Sequence, residues 1–479
     1  MAVVIEVPAG AQPDARWQGP RTVTLGGPRL IVPDQSRAVA GRRSEPKWGL
    51  PAAPVVEHAG SPILRNLVPM TATARPPRKA DTLYSDLFVP DETQAIRKEV
   101  RAFCDEVLAP VAHRLNTTPE SKENFARAEF EAMAKAGLYE IPYAKDVGGR
   151  GLEYPTLATL TVLEELAYYS PSLASALYDG QAILVGKTLE RAPAHIRNHY
   201  LPKLIKGEFV GCFATSEPNA STDLSVASME TVATKVPGGY KVNGVKRWIT
   251  NSPVGDLILV LCKTGETLTM LLADMRQPGV TVSAPDLKMG NHVQLTADIT
   301  FKDVFVADDH VVGPKEGSGL RTAISALVLG RMGIGAVGVA MGQAAFDFAT
   351  HYMTQRKVFG RELARMQHWQ YKFAEHATQI EMARSLYQKA AIRFDKEGGA
   401  DIEAAMAKVV GSRLACDLAR DAIQVCGAYG FVKTLSGPGQ NFPLESIYRD
   451  AKIGEIYEGA NEIQSWVIAR HIFGREYTG

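Results

Sequence analysis

The chain has 479 residues, a length that suggests about three domains. Its 53 Lys and Arg residues balance 52 Asp and Glu residues, so the formal net charge of +1 gives no indication of binding to nucleic acid or an anionic membrane. No continuous apolar run of about 18 residues occurs, and no transmembrane helix is predicted. Five scattered cysteines without a CxxC pair indicate a reducing compartment, with neither a disulfide framework nor a structural zinc site.

Residues 1–87 contain many prolines, few aromatic residues and more Arg than acidic residues. Clusters such as Pro76-Pro77 do not fit regular secondary structure, so a largely disordered leader is predicted. Three origins of this leader remain open: a disordered extension, a mitochondrial transit peptide, or a start codon assigned too far upstream. Glu6 and the early prolines disfavour the amphipathic helix of a transit peptide, whereas Met70 would begin a chain close to the folded part.

Residues 88–208 show apolar positions at helical spacing. Asp91 and Gln94 form a capping-box pattern, and the helix that they begin is predicted to reach about Leu115. Further helices are predicted at 124–136, 156–169, 172–189 and 194–205. This block is therefore predicted to be an all-helical N-terminal domain.

From residue 209 the pattern changes to short β-branched runs. A Pro-Gly-Gly turn between 232–236 and 240–245 predicts a hairpin. Further strands are predicted at 257–261, 268–272, 297–301 and 304–306. Residues 209–316 are therefore predicted to form a middle, mostly antiparallel β domain.

Residues 317–479 return to long helical patterns, predicted at 318–353, 362–396, 400–427 and 446–474. Their apolar faces predict a C-terminal four-helix bundle. The predicted fold class is α+β, with an N-terminal all-α domain, a middle antiparallel β domain and a C-terminal four-helix bundle.

Glu458 stands where the last helical pattern is interrupted. Gly459 breaks the apolar periodicity, which resumes from Glu462. A carboxylate at such a break can point into a cavity, where largely uncharged neighbours would raise its pKa towards that of a general base. The alternative is an ordinary helix-capping or surface glutamate.

The segment from Arg449 to Gln464, which contains Tyr457-Glu458-Gly459, resembles the C-terminal signature of the acyl-CoA dehydrogenase family. Other segments resemble further motifs of that family, and together the resemblance covers residues 88–474. These segments are Gly148–Leu152, Leu163–Ala167, Phe213–Asp223, Trp248–Asn251, Arg356–Gly360 and Gln424–Gly430.

The resemblance implies an enzyme that uses FAD to dehydrogenate an acyl-CoA thioester. Glu458 would remove the α-proton while hydride passes from Cβ to flavin N5, and its backbone N–H would bind the thioester oxygen together with a ribityl hydroxyl of the flavin. Some members carry the base just before an Arg of the first bundle helix, but this chain has Gly330 there. The implied partners are an electron-transferring flavoprotein and further copies of the chain in a dimer or tetramer.

The resemblance also assigns binding residues. Thr215 and Ser216 would contact the pyrimidine side of the flavin ring, Thr222 a phosphate, and Thr250 the N5 region. Arg356 and Gln424 would bind the adenosine half of FAD that is bound mainly by a neighbouring subunit. The full set for the cofactor is Phe213, Thr215, Ser216, Thr222, Trp248, Thr250, Arg356, Phe359, Gln424, Gly427 and Ala428. The set for the substrate is Arg331, Thr222, Tyr457 and Gly459.

The sequence departs from the family pattern in two loops. Asn219 and Ser221 stand where the family usually has glycines, which puts the route of this loop and its phosphate contacts in question. Ala428 replaces a second glycine, and Leu435–Asn441 resembles an insertion.

Asp179 lies where some family members place acyl-pocket residues. A buried carboxylate there would favour a polar acyl tail, but the sequence favours a position on the helix surface. His195 and His199 have the i, i+4 spacing of metal ligands, yet no third ligand is near, so no metal site is predicted.

Two alternatives of function stay open. One is a dehydrogenase or oxidase on the same fold that acts on a carrier-protein thioester, and the other is a non-catalytic binding or assembly subunit. The expected location is cytoplasmic, or the mitochondrial matrix if the leader is a transit peptide.

Overall fold

The computed structural model of the protein describes residues 75–83, 86, 88–437 and 441–478. The prediction of a disordered leader falls mostly on residues outside these ranges. Residues 75–83, however, are packed against the helical domain. Arg75 donates to the backbone carbonyls of Tyr168 and Tyr169, and Arg78 pairs with the buried carboxylate of Glu165. The packed part of the described chain therefore begins before residue 88.

The N-terminal block consists of helices joined by short turns. They are α1 Ala80–Leu83, α2 Asp91–Phe103, α3 Ala112–Thr117, α4 Arg127–Lys135, α5 Pro155–Ala167, α6 Pro171–Leu173, α7 Thr188–Glu190 and α8 Ala194–Ile205. The helix predicted from Asp91 is broken after Phe103 by a π-helical segment, Cys104–Leu108. The pattern predicted at 172–189 is mostly a π-helix, Ala174–Lys187, whose wider turns are found frequently at functional sites.

The middle domain is built on one twisted sheet. Its strands are β1 Gly211–Ala214, β2 Val232–Val236, β3 Gly239–Thr250, β4 Leu257–Thr264, β5 Thr267–Asp274, β6 Val280–Val282 and β7 Thr296–Ala307. The strand order is β1-β4-β2-β3-β7-β6, and β5 pairs with β4. Pairing is antiparallel except where β4 meets β1 and β2. The two strands predicted at 297–301 and 304–306 are one continuous strand, β7.

The C-terminal domain is a bundle around one long central helix, α9 Gly319–Gln355. The other elements are the short hairpin strands β8 Lys357–Val358 and β9 Arg361–Glu362, and the helices α10 Gln367–Glu397, α11 Asp401–Cys426, α12 Ala428–Phe431, α13 Leu444–Ala451, α14 Asn461–Phe473 and α15 Arg475–Thr478. The helix predicted at 446–474 is therefore two helices. A 3₁₀ turn and an irregular turn around Glu458 separate them.

Helix α9 packs directly on α11 because both carry glycines at the crossing. A Cβ atom added to Gly338 would lie 2.3 Å from the carbonyl oxygen of Gly411. Helix α9 is long and apolar enough to cross a membrane, but 78% of its most apolar window is buried inside the protein. That burial is typical of the core helix of a large bundle.

Candidate active site

The turn between α13 and α14 holds Glu458 in an unusual backbone conformation. Its φ of 56° lies in the left-handed region, which non-glycine residues rarely adopt and which is found at functional sites. Three side-chain hydrogen bonds hold the turn through its carbonyl oxygens. Arg331 Nε donates to Glu458 O at 3.3 Å, and Gln464 Nε2 donates to Glu458 O and Gly459 O at 3.3 and 3.0 Å. The backbone is fixed, and the carboxyl group takes no part in fixing it.

The carboxyl group of Glu458 packs against the backbone of α9. A Cβ atom added to Gly330 would lie 2.6 Å from Glu458 Oε2, so the close approach requires glycine at that position. Oε2 is buried and has no hydrogen-bond partner among the described residues. Burial raises the pKa of Glu458 to about 7, although the positive charges of Arg331 and Lys408 oppose the rise.

Lys408 on α11 lies beneath the same turn, a position that the sequence analysis did not identify. Its side chain is fully buried, and Nζ donates to Asn461 Oδ1 at 2.9 Å. Asn461 also donates to Ser412 Oγ at 3.0 Å, so this contact ties the start of α14 to α11. Burial lowers the pKa of Lys408 to about 8, and the nearby Glu458 carboxylate opposes that shift.

Asp179 is buried, contrary to the surface position that the sequence favours. Its residue is 3% exposed, and Oδ1 has no hydrogen-bond partner within the part of the chain that the structure describes. The reason is another glycine of α9, because a Cβ atom added to Gly333 would lie 2.7 Å from Oδ1. Burial, reinforced by the nearby charge of Glu458, raises the pKa of Asp179 well above its usual value. We call Asp179 and Glu458 the carboxyl pair.

The π-helix that carries Asp179 also contacts the end of β3. A Cβ atom added to Gly180 would lie 4.0 Å from Thr250 Cγ2 and 3.6 Å from Asn251 Nδ2. Asn251 Nδ2 donates to the carbonyl of Ala176 at 2.9 Å, and Thr250 Oγ1 accepts from Gln294 at 2.9 Å. The π-helix therefore connects Asp179 of the carboxyl pair to the Trp248–Asn251 segment through two consecutive residues, Asp179 and Gly180.

Trp248 has two features that are unusual for a large apolar residue. Its φ is 58°, and its side chain is 55% exposed. A strained backbone that carries an exposed aromatic side chain indicates that the side chain contacts a ligand or a partner and does not pack in the core.

A buried ion pair positions the Phe213–Ser216 segment beside Trp248–Asn251. Lys246 Nζ donates to Thr215 O at 3.0 Å and to Glu217 Oε1 at 2.8 Å. Glu217 in turn accepts from the backbone N–H groups of Glu230 and Thr231, at 2.6 and 2.9 Å. The sequence pattern gives no sign of this role for Lys246, because a lysine on a strand is usually exposed.

The loop after Glu217 follows a path that does not need glycine. Neither Asn219 nor Ser221 is among the described residues with positive φ, and Asn219 Nδ2 donates to Glu230 Oε1 at 3.1 Å. Thr222 is exposed near the tip of this loop.

The residues expected to bind the adenosine half of the cofactor lie at the end of the bundle where α9 and α11 finish. The ring of Tyr352 near the end of α9 lies 6.2 Å from that of Tyr429, which follows α11. Gly427 has a φ of 60° and a ψ of −137°, a conformation suited to glycine. Five of the predicted residues are exposed at this end: Arg356, Phe359, Gln424, Gly427 and Ala428.

The two candidate metal-binding histidines have other contacts. His195 Nε2 lies 2.6 Å from the carbonyl oxygen of Asp309, and His199 Nε2 lies 3.2 Å from Lys203 Nζ. Within the described ranges, no group of three His, Cys, Asp or Glu residues is arranged to hold a metal ion.

Comparison with known protein families agrees with this architecture. Models of the N-terminal, middle and C-terminal domains of acyl-CoA dehydrogenase match residues 90–208, 212–304 and 317–473. The chain belongs to the acyl-CoA dehydrogenase family. It is therefore an FAD-dependent oxidoreductase of the acyl-CoA dehydrogenase type, and the predicted fold class is confirmed.

Relatives in this family resemble the chain along nearly their whole length. The mitochondrial short-chain specific acyl-CoA dehydrogenase of Mus musculus is 31% identical over 88% of this chain and 98% of its own. The 3-(aryl)acrylate reductase of Clostridium sporogenes is 32% identical over 81% of this chain and 100% of its own. The structure of butyryl-CoA dehydrogenase from Megasphaera elsdenii superposes with a TM-score of 0.74 at 29% identity, covering 81% of this chain and all of its own.

The residues of this chain fit the cofactor of the family. The exposed indole of Trp248 offers an apolar face to a flat ring system, and the Thr250 hydroxyl and the fixed Thr215–Ser216 backbone offer polar groups beside it. The π-helix that approaches Thr250 carries Asp179, and the neighbouring Glu458 has a buried Oε2 that lacks a partner among the described residues.

Proposed function

We propose that this acyl-CoA dehydrogenase oxidises an acyl-CoA thioester with Glu458 as the base that removes the α-proton. The observation that supports this most strongly is the Glu458 carboxyl group. Its Oε2 is buried against Gly330 and lacks a hydrogen-bond partner in the described chain, and its pKa is raised to about 7. A general base is most efficient when its pKa is close to the working pH. When bound, FAD supplies the acceptor for the hydride that leaves Cβ.

The residues of the Glu458 turn would hold the thioester. The backbone N–H of Glu458 is proposed to donate to the thioester oxygen and to stabilise the negative charge that develops there. Tyr457, Gly459 and Arg331 complete this contact surface. Arg331 already donates to the carbonyl oxygen of Glu458, so it also keeps the turn in place.

The cofactor would be held in two parts. Phe213, Thr215, Ser216, Trp248 and Thr250 are proposed to surround the ring, and Thr222 to reach a phosphate. The exposed residues Arg356, Phe359, Gln424, Gly427 and Ala428 are proposed to bind the adenosine half of an FAD that a second copy of the chain holds. The protein would then work as a dimer or tetramer, and their exposure in one chain agrees with this arrangement.

The relatives suggest the substrate class and the electron acceptor. The names of the Mus musculus and Megasphaera elsdenii proteins refer to short-chain and butyryl esters, so a short acyl-CoA is proposed as substrate. An electron-transferring flavoprotein is proposed as the electron acceptor. One of the solved structures similar to this chain comes from a study of the electron transferring flavoprotein of Acidaminococcus fermentans. A cytoplasmic location is proposed, with the mitochondrial matrix as the alternative.

An anaerobic screen of acyl-CoA esters against the purified holoenzyme tests the proposal. Bleaching of the oxidised flavin absorbance by butyryl-CoA or hexanoyl-CoA, but not by free CoA, is the expected result. The same acyl groups on a pantetheine carrier protein form the second arm. Bleaching only in that arm would assign the enzyme to carrier-protein thioesters, and no bleaching in either arm would contradict the proposed function.

A further inference from the structure

The second member of the carboxyl pair has no task in the proton abstraction described above. Asp179 is 3% exposed, and its Oδ1 has no hydrogen-bond partner among the described residues. A buried polar atom left without a partner typically costs about 1–3 kcal/mol. Such an atom in a binding region therefore suggests a ligand that completes its hydrogen bonding.

The position of Asp179 relative to Glu458 indicates which part of a substrate it would meet. Glu458 packs on Gly330 and Asp179 on Gly333, so the two carboxyl groups meet the same helix at positions about 4.5 Å apart along its axis. The next residue of the π-helix is Gly180, where an added Cβ atom would lie 4.0 Å from Thr250 Cγ2. An acyl chain that has its α-carbon at Glu458 and runs along α9 from Gly330 towards Gly333 would therefore reach Asp179 beyond Cβ.

The surroundings of Asp179 form a small polar patch in an otherwise apolar part of the protein. Ser175 lies one turn earlier on the same π-helix, and its hydroxyl is 3.1 Å from that of Tyr457. Leu163, by contrast, contacts the same glycine of α9 as Asp179 does. A purely apolar acyl chain would leave the Asp179 oxygen without a partner, whereas a hydroxyl group would donate a hydrogen bond to it. A carboxyl group accepts such a bond whether or not it is protonated.

We propose that Asp179 is a specificity residue that selects an acyl-CoA with a hydroxyl group on the acyl chain beyond Cβ. This inference rests on the proposed function, because it assumes that the acyl chain extends from Glu458 towards Asp179. A site built to bind a substrate hydroxyl discriminates strongly against the analogue that lacks it, since the protein group is then left buried and unpaired. The preferred substrate is thus a short hydroxyacyl-CoA rather than a plain alkyl ester.

The test compares hexanoyl-CoA with its 4-, 5- and 6-hydroxy derivatives and with the methyl ether of each. The ethers keep the oxygen atom at the same position but cannot donate a hydrogen bond. In the wild-type holoenzyme we expect at least one hydroxy isomer to exceed both hexanoyl-CoA and its own ether by about tenfold or more in kcat/KM. Equal or lower kcat/KM for every hydroxy isomer would overturn the inference.

Variants of Asp179 assign the preference to its carboxyl group. Asp179→Leu should abolish the preference and raise kcat/KM for hexanoyl-CoA, whereas Asp179→Asn should keep part of it because the amide oxygen still accepts. Asp347→Asn is the matched control. Asp347 is a buried residue of α9, and Tyr168 and Gln343 both donate to it at 2.9 Å. Its substitution should therefore leave the ratio of kcat/KM between the hydroxy and plain esters unchanged.

The outcomes separate this inference from the proposed function. A wild-type enzyme that oxidises alkyl esters and ignores the hydroxyl group overturns the specificity of Asp179 alone, as does a preference that persists in Asp179→Leu. An enzyme whose flavin no acyl-CoA bleaches contradicts the proposed function as well. If Asp179→Leu does not fold with FAD, the wild-type ratios and Asp179→Asn still decide the result.

Discussion

Two pairs of carboxyl groups in the described part of the chain differ in what surrounds them. Glu164 and Glu165 on α5 face arginines from several elements. Glu164 accepts from Arg384 at 2.9 Å and from Tyr387, and Glu165 pairs with Arg78 and with Arg101 at 3.0 Å. The arginines hold the pKa of Glu164 at about 2, in spite of its burial.

The carboxyl groups of Asp179 and Glu458 pack against Gly333 and Gly330 of α9, whereas those of the α5 pair contact arginine side chains. The pKa of Glu458 is accordingly raised to about 7 and that of Asp179 well above its usual value. Burial alone therefore does not identify an active-site acid. A buried carboxylate paired with arginines is kept ionised, and removal of either partner destabilises the fold, whereas a carboxyl group with a raised pKa next to bare backbone is a candidate for acid–base chemistry.

The largest effect on stability should come from the α5 pair. Glu164→Gln removes the carboxylate that faces Arg384 and Arg97, and we expect a loss of about 3–5 kcal/mol in the free energy of unfolding. Urea denaturation at fixed protein and FAD concentration measures it. Loss of less than about 1 kcal/mol would show that these arginines do not depend on Glu164.

Glu458→Gln is the contrasting variant in the same experiment. The pKa of Glu458 is higher in the folded chain, about 7, than the ordinary value of 4.5, so ionisation weakens the fold as the pH rises from 4.5 to 7. At pH 8 the glutamine variant should therefore be as stable as the wild type or more stable. Equal destabilisation by both variants would remove the distinction between the two pairs.

The ion pair under the Thr215 loop extends the comparison to the middle domain. Lys246→Met leaves Glu217 buried without its cation and removes the hydrogen bond to Thr215 O. We expect a loss of about 1–3 kcal/mol in the free energy of unfolding, since two backbone N–H groups still donate to Glu217. Retention of FAD should also weaken, because the loop proposed to hold the ring loses its support. Dialysis followed by measurement of bound flavin tests this. Lys235→Met, which changes an exposed lysine on the neighbouring strand, is the control.

Gly330→Ala tests whether the close approach of Glu458 to α9 matters for catalysis. The new methyl group would lie 2.6 Å from Oε2, and the end of a flexible side chain would move away. We expect flavin reduction to slow by about tenfold, although alanine favours the helix by about 1 kcal/mol. Unchanged reduction rates would show that the carboxyl position tolerates displacement. Gly342→Ala, farther along α9, is the control.

The smallest expected effect is a shift in pH dependence. Flavin reduction should rise with pH through the pKa of Glu458, about 7, because only the carboxylate accepts a proton. Lys408→Met removes a positive charge that stabilises this carboxylate, so the profile should move to higher pH and the rate at pH 6.5 should fall several-fold. A pH–rate profile from stopped-flow reduction measures both. A shift to lower pH would contradict the assigned role of Lys408.

The sequence predicted what depends on local pattern. The α, β, α order of the domains follows from changes in hydrophobic periodicity along the chain. Gly459 marked the break between two helices at which Glu458 lies against Gly330. The sequence could not predict the burial of Asp179, because that depends on Gly333 of a helix more than 150 residues later in the sequence. The burial of Lys246 and Lys408 could not be predicted either, because a lysine in an amphipathic pattern is ordinarily exposed.

The proposed assignment of Glu458 as base is tested most directly by single-turnover flavin reduction with the best acyl-CoA ester, in wild type, Glu458→Gln and the exposed control Glu462→Gln. We predict that Glu458→Gln binds FAD normally but reduces it about 10²–10⁴-fold more slowly, while Glu462→Gln matches the wild type. Reduction by Glu458→Gln within about tenfold of the wild-type rate would contradict the assignment.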